Sequence, residues 1–119
     1  MGPQNRKHRK DLEKIASSPE KFGFPVKNII SVSIEENLFH KGKLRAQPDI
    51  IILERKGENK LVHIIEYKSN GNGELLQRAQ KQLQNAVAWF GRYRPDIDLE
   101  DIYTYIISGS DQKYKGLFN

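Results

Sequence analysis

The stretch from Gln47 to Asn70, QPDIIILERKGENKLVHIIEYKSN, constrains the fold of this chain more than any other. Two aliphatic runs, IIIL and LVHII, flank a short polar segment containing Gly57, the pattern of two strands joined by a tight hairpin. Successive strand residues point to opposite faces, so Val62, Ile64, Glu66 and Lys68 share one face and His63, Ile65 and Tyr67 the other. Antiparallel pairing then carries Asp49 from the open end of the first strand to the end of the second, beside Glu66 and Lys68. An unpaired charge costs on the order of several kcal/mol to bury, so this group needs a bound ion, a ligand or solvent. The alternative is a surface Glu66–Lys68 ion pair, with Asp49 capping a turn after Pro48.

The remaining elements follow from periodicity and punctuation. Leu12, Ile15 and Ala16 lie at helical spacing between about Asn5 and Ser17, and SSPEKFGFP supplies stop signals. VKNIISVSIEENLF reads as a first strand followed by a turn-like HKGKLRAQP, which makes DIIILER and KLVHIIEYK the second and third strands. After SNGNG, with Asn72 as a candidate cap, Leu76, Ala79, Leu83, Val87 and Phe90 mark a long helix over about Glu74 to Tyr93. DIYTYIIS reads as a fourth strand, and the tail GSDQKYKGLFN has no clear reading. A helix between strands three and four requires a crossover, so an α/β fold with a mixed sheet flanked by helices is expected.

At 119 residues the chain has the length of one domain, spanning 1–119. Its 37% hydrophobic and 29% charged residues describe a globular composition, and no segment approaches the roughly 20 apolar residues of a membrane helix. The amino terminus is basic with no apolar segment behind it, unlike a secretory signal. With no cysteine, disulfides and thiolate metal sites are excluded, and a cytoplasmic, intracellular location is expected. The net charge of +5 favours an anionic partner, nucleic acid first. Arg6, Lys7, Arg9 and Lys10, with Lys41, Lys43 and Arg45, are the candidate phosphate contacts; the alternative is a solvated surface.

Two carboxylates and an ammonium suit one chemistry well. Hard cations such as Mg²⁺ prefer oxygen ligands and are often held by one or two carboxylates plus phosphate oxygens. A lysine beside them can orient the attacking water or offset developing charge in phosphodiester hydrolysis. Pro48-Asp49, a gap of sixteen residues, then Glu66-Tyr67-Lys68 ending an aliphatic strand resembles the signature of the PD-(D/E)xK nuclease superfamily. Its restriction-endonuclease-like core has the order α-β-β-β-α-β derived above. The resemblance covers about Asp11 to Ser108 and implies a metal-dependent DNA nuclease, with Mg²⁺ as cofactor and Mn²⁺ as a substitute. It makes Asp49, Glu66 and the main-chain carbonyl of Tyr67 the metal ligands and Lys68 the catalytic lysine.

Within that superfamily the chain is most similar to small archaeal-type Holliday junction resolvases, which carry a glutamate about ten residues before a Gly-Phe pair. Glu13 stands ten residues before Gly23-Phe24 and is the leading extra ligand; Glu35 or Glu36 is the alternative. The chain departs from those resolvases after Lys68, where SNGNGE replaces their basic stretch. QRAQKQLQNAVAWF instead is similar to the glutamine-rich helix of RecB-like exonucleases, which makes Gln77, Gln80 and Gln84 candidate phosphate contacts. His8, His40 and His63 have no zinc spacing, and His63 is expected to pack on the face opposite Glu66. A structure-specific DNA endonuclease is thus the leading expectation. A non-catalytic nucleic-acid-binding or assembly module, and an exonuclease acting on single strands or RNA, are the alternatives. A homodimer is expected, with DIYTYIIS, Leu117 and Phe118 as candidate interface material.

Overall fold

The computed structural model describes the backbone of residues 3–24, 26–68, 73–108 and 114–116, and the side chains of 8–24, 26–68 and 74–107. Helix α1 (Pro3–Ser17) and a 3₁₀ turn (Pro19–Phe22) precede β1 (Ile29–Ile34), β2 (Leu38–His40), β3 (Lys43–Ala46), β4 (Ile50–Lys56) and β5 (Asn59–Lys68). Helix α2 (Gly73–Tyr93) and a second 3₁₀ turn (Leu99–Asp101) lead to β6 (Ile102–Ser108), and β7 (Tyr114–Gly116) is the last described strand. The main sheet runs β1-β4-β5-β6-β7. β5 and β6 are parallel and every other neighbouring pair is antiparallel. The molecule is therefore α/β with a mixed sheet, and α2 forms the crossover between the parallel strands.

The central hairpin is specified locally. Lys56 pairs with Asn59, leaving a two-residue loop whose first residue, Gly57, has φ 63, the glycine-first geometry that matches strand twist. Because both faces of the sheet are covered, β4, β5 and β6 are nearly continuous aliphatic runs. On one face Ala79, Leu83, Ala86 and Phe90 of α2 pack on Ile51, Val62, Ile64, Ile102 and Ile106. On the other, Leu12 and Ile15 of α1, with Phe24 and Val26, cover Ile50, Ile52, Ile65, Tyr67, Tyr105 and Ile107. Among the described residues, no helix is long and apolar enough to cross a membrane.

Four expectations need correction. The first strand does not run on to Phe39: the chain breaks at Glu35, which takes φ 53 and donates its N–H to the carbonyl of Asp49 at 2.9 Å. The segment expected to be a turn instead forms a second hairpin, β2–β3, which turns at Lys41-Gly42 with φ 52 and 77. β6 is no interface strand, because it lies between β5 and β7 with Tyr105 and Ile107 fully enclosed. Leu76 is 37% exposed, and Ala86 lies on the buried stripe. Asn72, Leu117 and Phe118 lie outside the described residues.

Candidate active site

The hairpin register brings Asp49, Glu66 and Lys68 together at one end of the sheet. Ile50 is paired with Ile65, so the next residues outward are Asp49 and Glu66. Each strand end fastens the other: the Asp49 N–H donates to Glu66 Oε2 at 2.8 Å, and the Tyr67 N–H donates to Asp49 Oδ2 at 2.7 Å. This leaves Asp49 Oδ1 facing His8 Nε2 at 3.3 Å, and Glu66 Oε1 facing Lys68 Nζ at 3.8 Å. Glu66 is 2% exposed and Asp49 8%, whereas Lys68 and His8 are only partly covered.

Burial, and then the neighbouring charge of Asp49, push the Glu66 carboxyl up to about 8, against the opposing pull of the Asp49 N–H, Lys68 and His8. The hydrogen bond to Asp49 raises His8 above its ordinary value. Tyr67, which places the next peptide, is itself anchored: its hydroxyl donates to Asp11 Oδ2 at 2.8 Å. The arrangement holds two enclosed carboxylates against each other, with one ammonium and one imidazole as the adjacent positive groups.

These donors fit a hard divalent cation. Two carboxylate oxygens remain turned away from the backbone amides, one toward His8 and one toward Lys68, and a cation beside them would favour the ionised form of Glu66, which burial and then Asp49 oppose. Among the described residues, no three carboxylate or imidazole groups lie close enough to hold one ion. Further ligands would therefore be the Tyr67 carbonyl, water or substrate oxygens, the usual pattern for Mg²⁺.

The other sequence candidates are scattered. Glu13 and Glu35 meet at Arg9 rather than as a cluster with Asp49 and Glu66: the guanidinium is 2.9 Å from Glu35 Oε1 and 3.9 Å from Glu13 Oε2. Glu36 and Lys10 are exposed, as are Lys41, Lys43 and Arg45 on the second hairpin; the side chains of Arg6 and Lys7 lie outside the described residues. Gln77 is exposed, while Gln80 and Gln84 line an open groove with Leu83, Val87, Leu99 and Thr104, on the β6 side of α2. A different glutamine, Gln82, reaches the segment that precedes the site: its Nε2 donates to the carbonyl of Gln47 at 3.1 Å, two residues before Asp49. Gln47 in turn donates to Asn37 Oδ1 at 2.7 Å, so Gln82 ties the segment between β3 and β4, which leads into Asp49, to α2.

No family model, curated protein or solved structure matches this chain. Motif reasoning misses His8, which contacts Asp49, and Gln82, which holds the segment before it. A signal for His8 was present, since it precedes Leu12 and Ile15 at four and seven residues and so lies on the buried stripe of α1. Gln82 shares its flank of α2 with Ala79 and Ala86, both fully buried.

Proposed function

We propose that this chain is a divalent-cation-dependent nuclease that hydrolyses DNA phosphodiester bonds on a core of the restriction-endonuclease-like type. The observation that carries the reading is Glu66, almost wholly enclosed, held against Asp49 and 3.8 Å from the Lys68 ammonium. A structural ion pair has no use for a second enclosed carboxylate, whereas a cation site does. Asp49, Glu66 and the Tyr67 carbonyl would hold Mg²⁺, which supplies charge neutralisation at the phosphate when bound.

The chain's own residues do the rest. The Tyr67 N–H and His8 fix the Asp49 carboxylate from two sides, and the Asp49 N–H fixes Glu66. Lys68, partly open to solvent, donates to a phosphate oxygen or to the incoming water and offsets the charge that develops there. The water oxygen bonds to phosphorus as the bond to the sugar oxygen breaks; water releases a proton to solvent and the departing oxygen takes one up.

The test is incubation with supercoiled, linear, single-stranded and four-way-junction DNA, with and without Mg²⁺. Junction cleavage is the outcome that assigns structure-specific endonuclease activity. Cleavage is expected only with Mg²⁺ or Mn²⁺, and Asp49→Ala and Glu66→Gln should each lower it about 100-fold or more without changing the circular dichroism spectrum. Full activity in both variants overturns the assignment. Binding without any metal-dependent product would indicate a nucleic-acid-binding module instead.

A further inference from the structure

A second concave surface lies apart from the carboxylates, between the β2–β3 hairpin and the carboxyl-terminal half of α2. It is a groove of about 500 Å³ lined by His40, Leu44, Arg45, Asn85, Trp89, Arg92 and other residues of α2, none of them acidic. Its aromatic residues contact one another. Trp89 and Tyr93 lie with ring centroids 5.0 Å apart, tilted by 31°. His40 meets Tyr93 edge-on at 5.7 Å and shares a 2.6 Å hydrogen bond with its hydroxyl. The Trp89 indole N–H donates to the Phe39 carbonyl at 2.9 Å, which pins the hairpin to the helix.

The exposure here is unusual for a molecule with a well-formed core. Leu44 and Tyr93, which line the groove, are 52% and 42% exposed, and Phe39, the cross-strand partner of Leu44, is 50% exposed. Partial loss of hydration, followed by the charges of Arg92 and Arg45, lowers the basicity of His40, so both guanidiniums act on the same small region. Aromatic faces held at fixed angles, two guanidiniums and no acid form a surface suited to an anionic ligand with flat apolar groups. Single-stranded nucleic acid has that chemistry: bases stack on aromatic rings irrespective of sequence while phosphates meet arginine. Duplex DNA keeps its bases stacked inside and offers the groove phosphates alone.

We propose that this groove binds a single-stranded segment of DNA, stacking bases on Tyr93 and Trp89 and pairing phosphates with Arg45 and Arg92. The hairpin that forms it runs directly into the active segment, since β3 ends at Ala46 and Gln82 clamps Gln47 just before Asp49. Binding in the groove stands on its own contacts. Only its role as the substrate-holding surface rests on the nuclease reading, for which it names substrates with an unpaired strand, such as flaps, forks or junction arms.

The chain has one tryptophan, and it lies in this groove, so its emission reports occupancy directly. The full chain, in EDTA so that no cleavage intervenes, is titrated with a short oligothymidine, the same length of duplex, and an acidic aromatic peptide. The oligothymidine should quench the tryptophan and bind about tenfold or more tightly than the duplex. Tyr93→Ala should weaken it about tenfold, the loss of one stacked base. Arg45→Gln with Arg92→Gln should flatten the logarithmic salt dependence by about 1.4, or 0.7 per charge on a single strand. Should a variant fail to fold, Tyr93→Leu, which removes the aromatic face and keeps apolar bulk, and the single arginine variants, each expected to flatten the slope by about 0.7, carry the same comparison. No quenching, equal affinity for duplex, unchanged affinity in the variants, or quenching by the peptide alone each overturn the groove assignment. Asp49→Ala is carried through the same titration: intact binding beside failed cleavage by the unmodified chain would leave the groove standing and remove the nuclease reading.

Discussion

Glu66 is a carboxyl that this fold makes difficult to ionise. Burial and Asp49 hold it at about 8, well above its ordinary 4.5, so the folded state binds its proton more tightly than the unfolded chain does. Its stabilising contribution is thus complete below about pH 4.5 and is lost as pH rises through about 8. His8, raised by Asp49, acts in the same direction: its contribution is present below its ordinary 6.5 and fades above its folded value. In EDTA, melting temperature should therefore fall between pH 5 and pH 8, Glu66→Gln should flatten that fall, and Mg²⁺ should reverse it at pH 8. A wild-type slope identical to that of Glu66→Gln would mean that this carboxyl titrates normally. The juxtaposition of Asp49, Glu66 and Lys68 could be read in the sequence because strand alternation and a two-residue turn decide it without reference to anything else. The roles of His8 and Gln82 depend on where α1 and α2 come to lie over the sheet, and only tertiary packing sets that.

At the level of elements, β4 and β5 carry a second polar group on the α1 face. Glu54 and His63 are 6% and 2% exposed. Glu54 Oε1 lies 2.7 Å from His63 Nε2, and Tyr105 Oη lies 2.8 Å from His63 Nδ1. Glu54 Oε2 accepts the Lys27 N–H at 2.8 Å. This network fastens β4, β5, β6 and the segment before β1 to one another. Glu54→Ala would leave an enclosed imidazole and a backbone N–H without their acceptor, and should cost about 2–4 kcal/mol in chemical denaturation. A cost below about 1 kcal/mol would show that water replaces the carboxylate. Burial lowers the His63 imidazole, so its contribution is present above its ordinary 6.5 and is lost as pH falls through the depressed value, opposite to Glu66 and His8. Strand alternation placed His63 on the correct face, but its partners lie nine and forty-two residues away in sequence. The β2–β3 hairpin is not legible in the sequence for a different reason. Its turn, Lys41-Gly42, sits among charges, and its buried residues, Leu38 and Ala46, join the core cluster that α2 forms with the sheet, while Phe39 and Leu44 stay half exposed.

Across the whole molecule, the interior position of β6 removes one sequence candidate for a dimer interface, the others, Leu117 and Phe118, lying outside the described residues, and cutting both strands of the proposed substrate would still call for two sites. Light scattering on the free and DNA-bound chain settles whether it remains at 13.8 kDa. The charge balance bears on a firmer prediction. The net charge of +5 is unevenly spent: among the described residues Arg9, Arg78 and Arg94 are engaged by Glu13 and Glu35, Glu74 and Asp96. Lys41 and Lys43, at the exposed tip of the second hairpin, take part in none of the ion pairs found among those residues. A lysine that contacts phosphate releases a condensed counterion on binding, whereas an arginine already engaged by a carboxylate releases little. On the proposed function, neutralising Lys41 and Lys43 to glutamine should therefore weaken binding to DNA and flatten the logarithmic salt dependence by about 1.4 on single strands or 1.8 on duplex. Arg94→Gln, far less available because Asp96 holds it in two hydrogen bonds of 3.1 Å, should leave the slope nearly unchanged. Equal slopes for the wild-type chain and the double lysine variant would move the DNA-binding face away from the hairpin, and a large change in Arg94→Gln would move it toward the turn that follows α2.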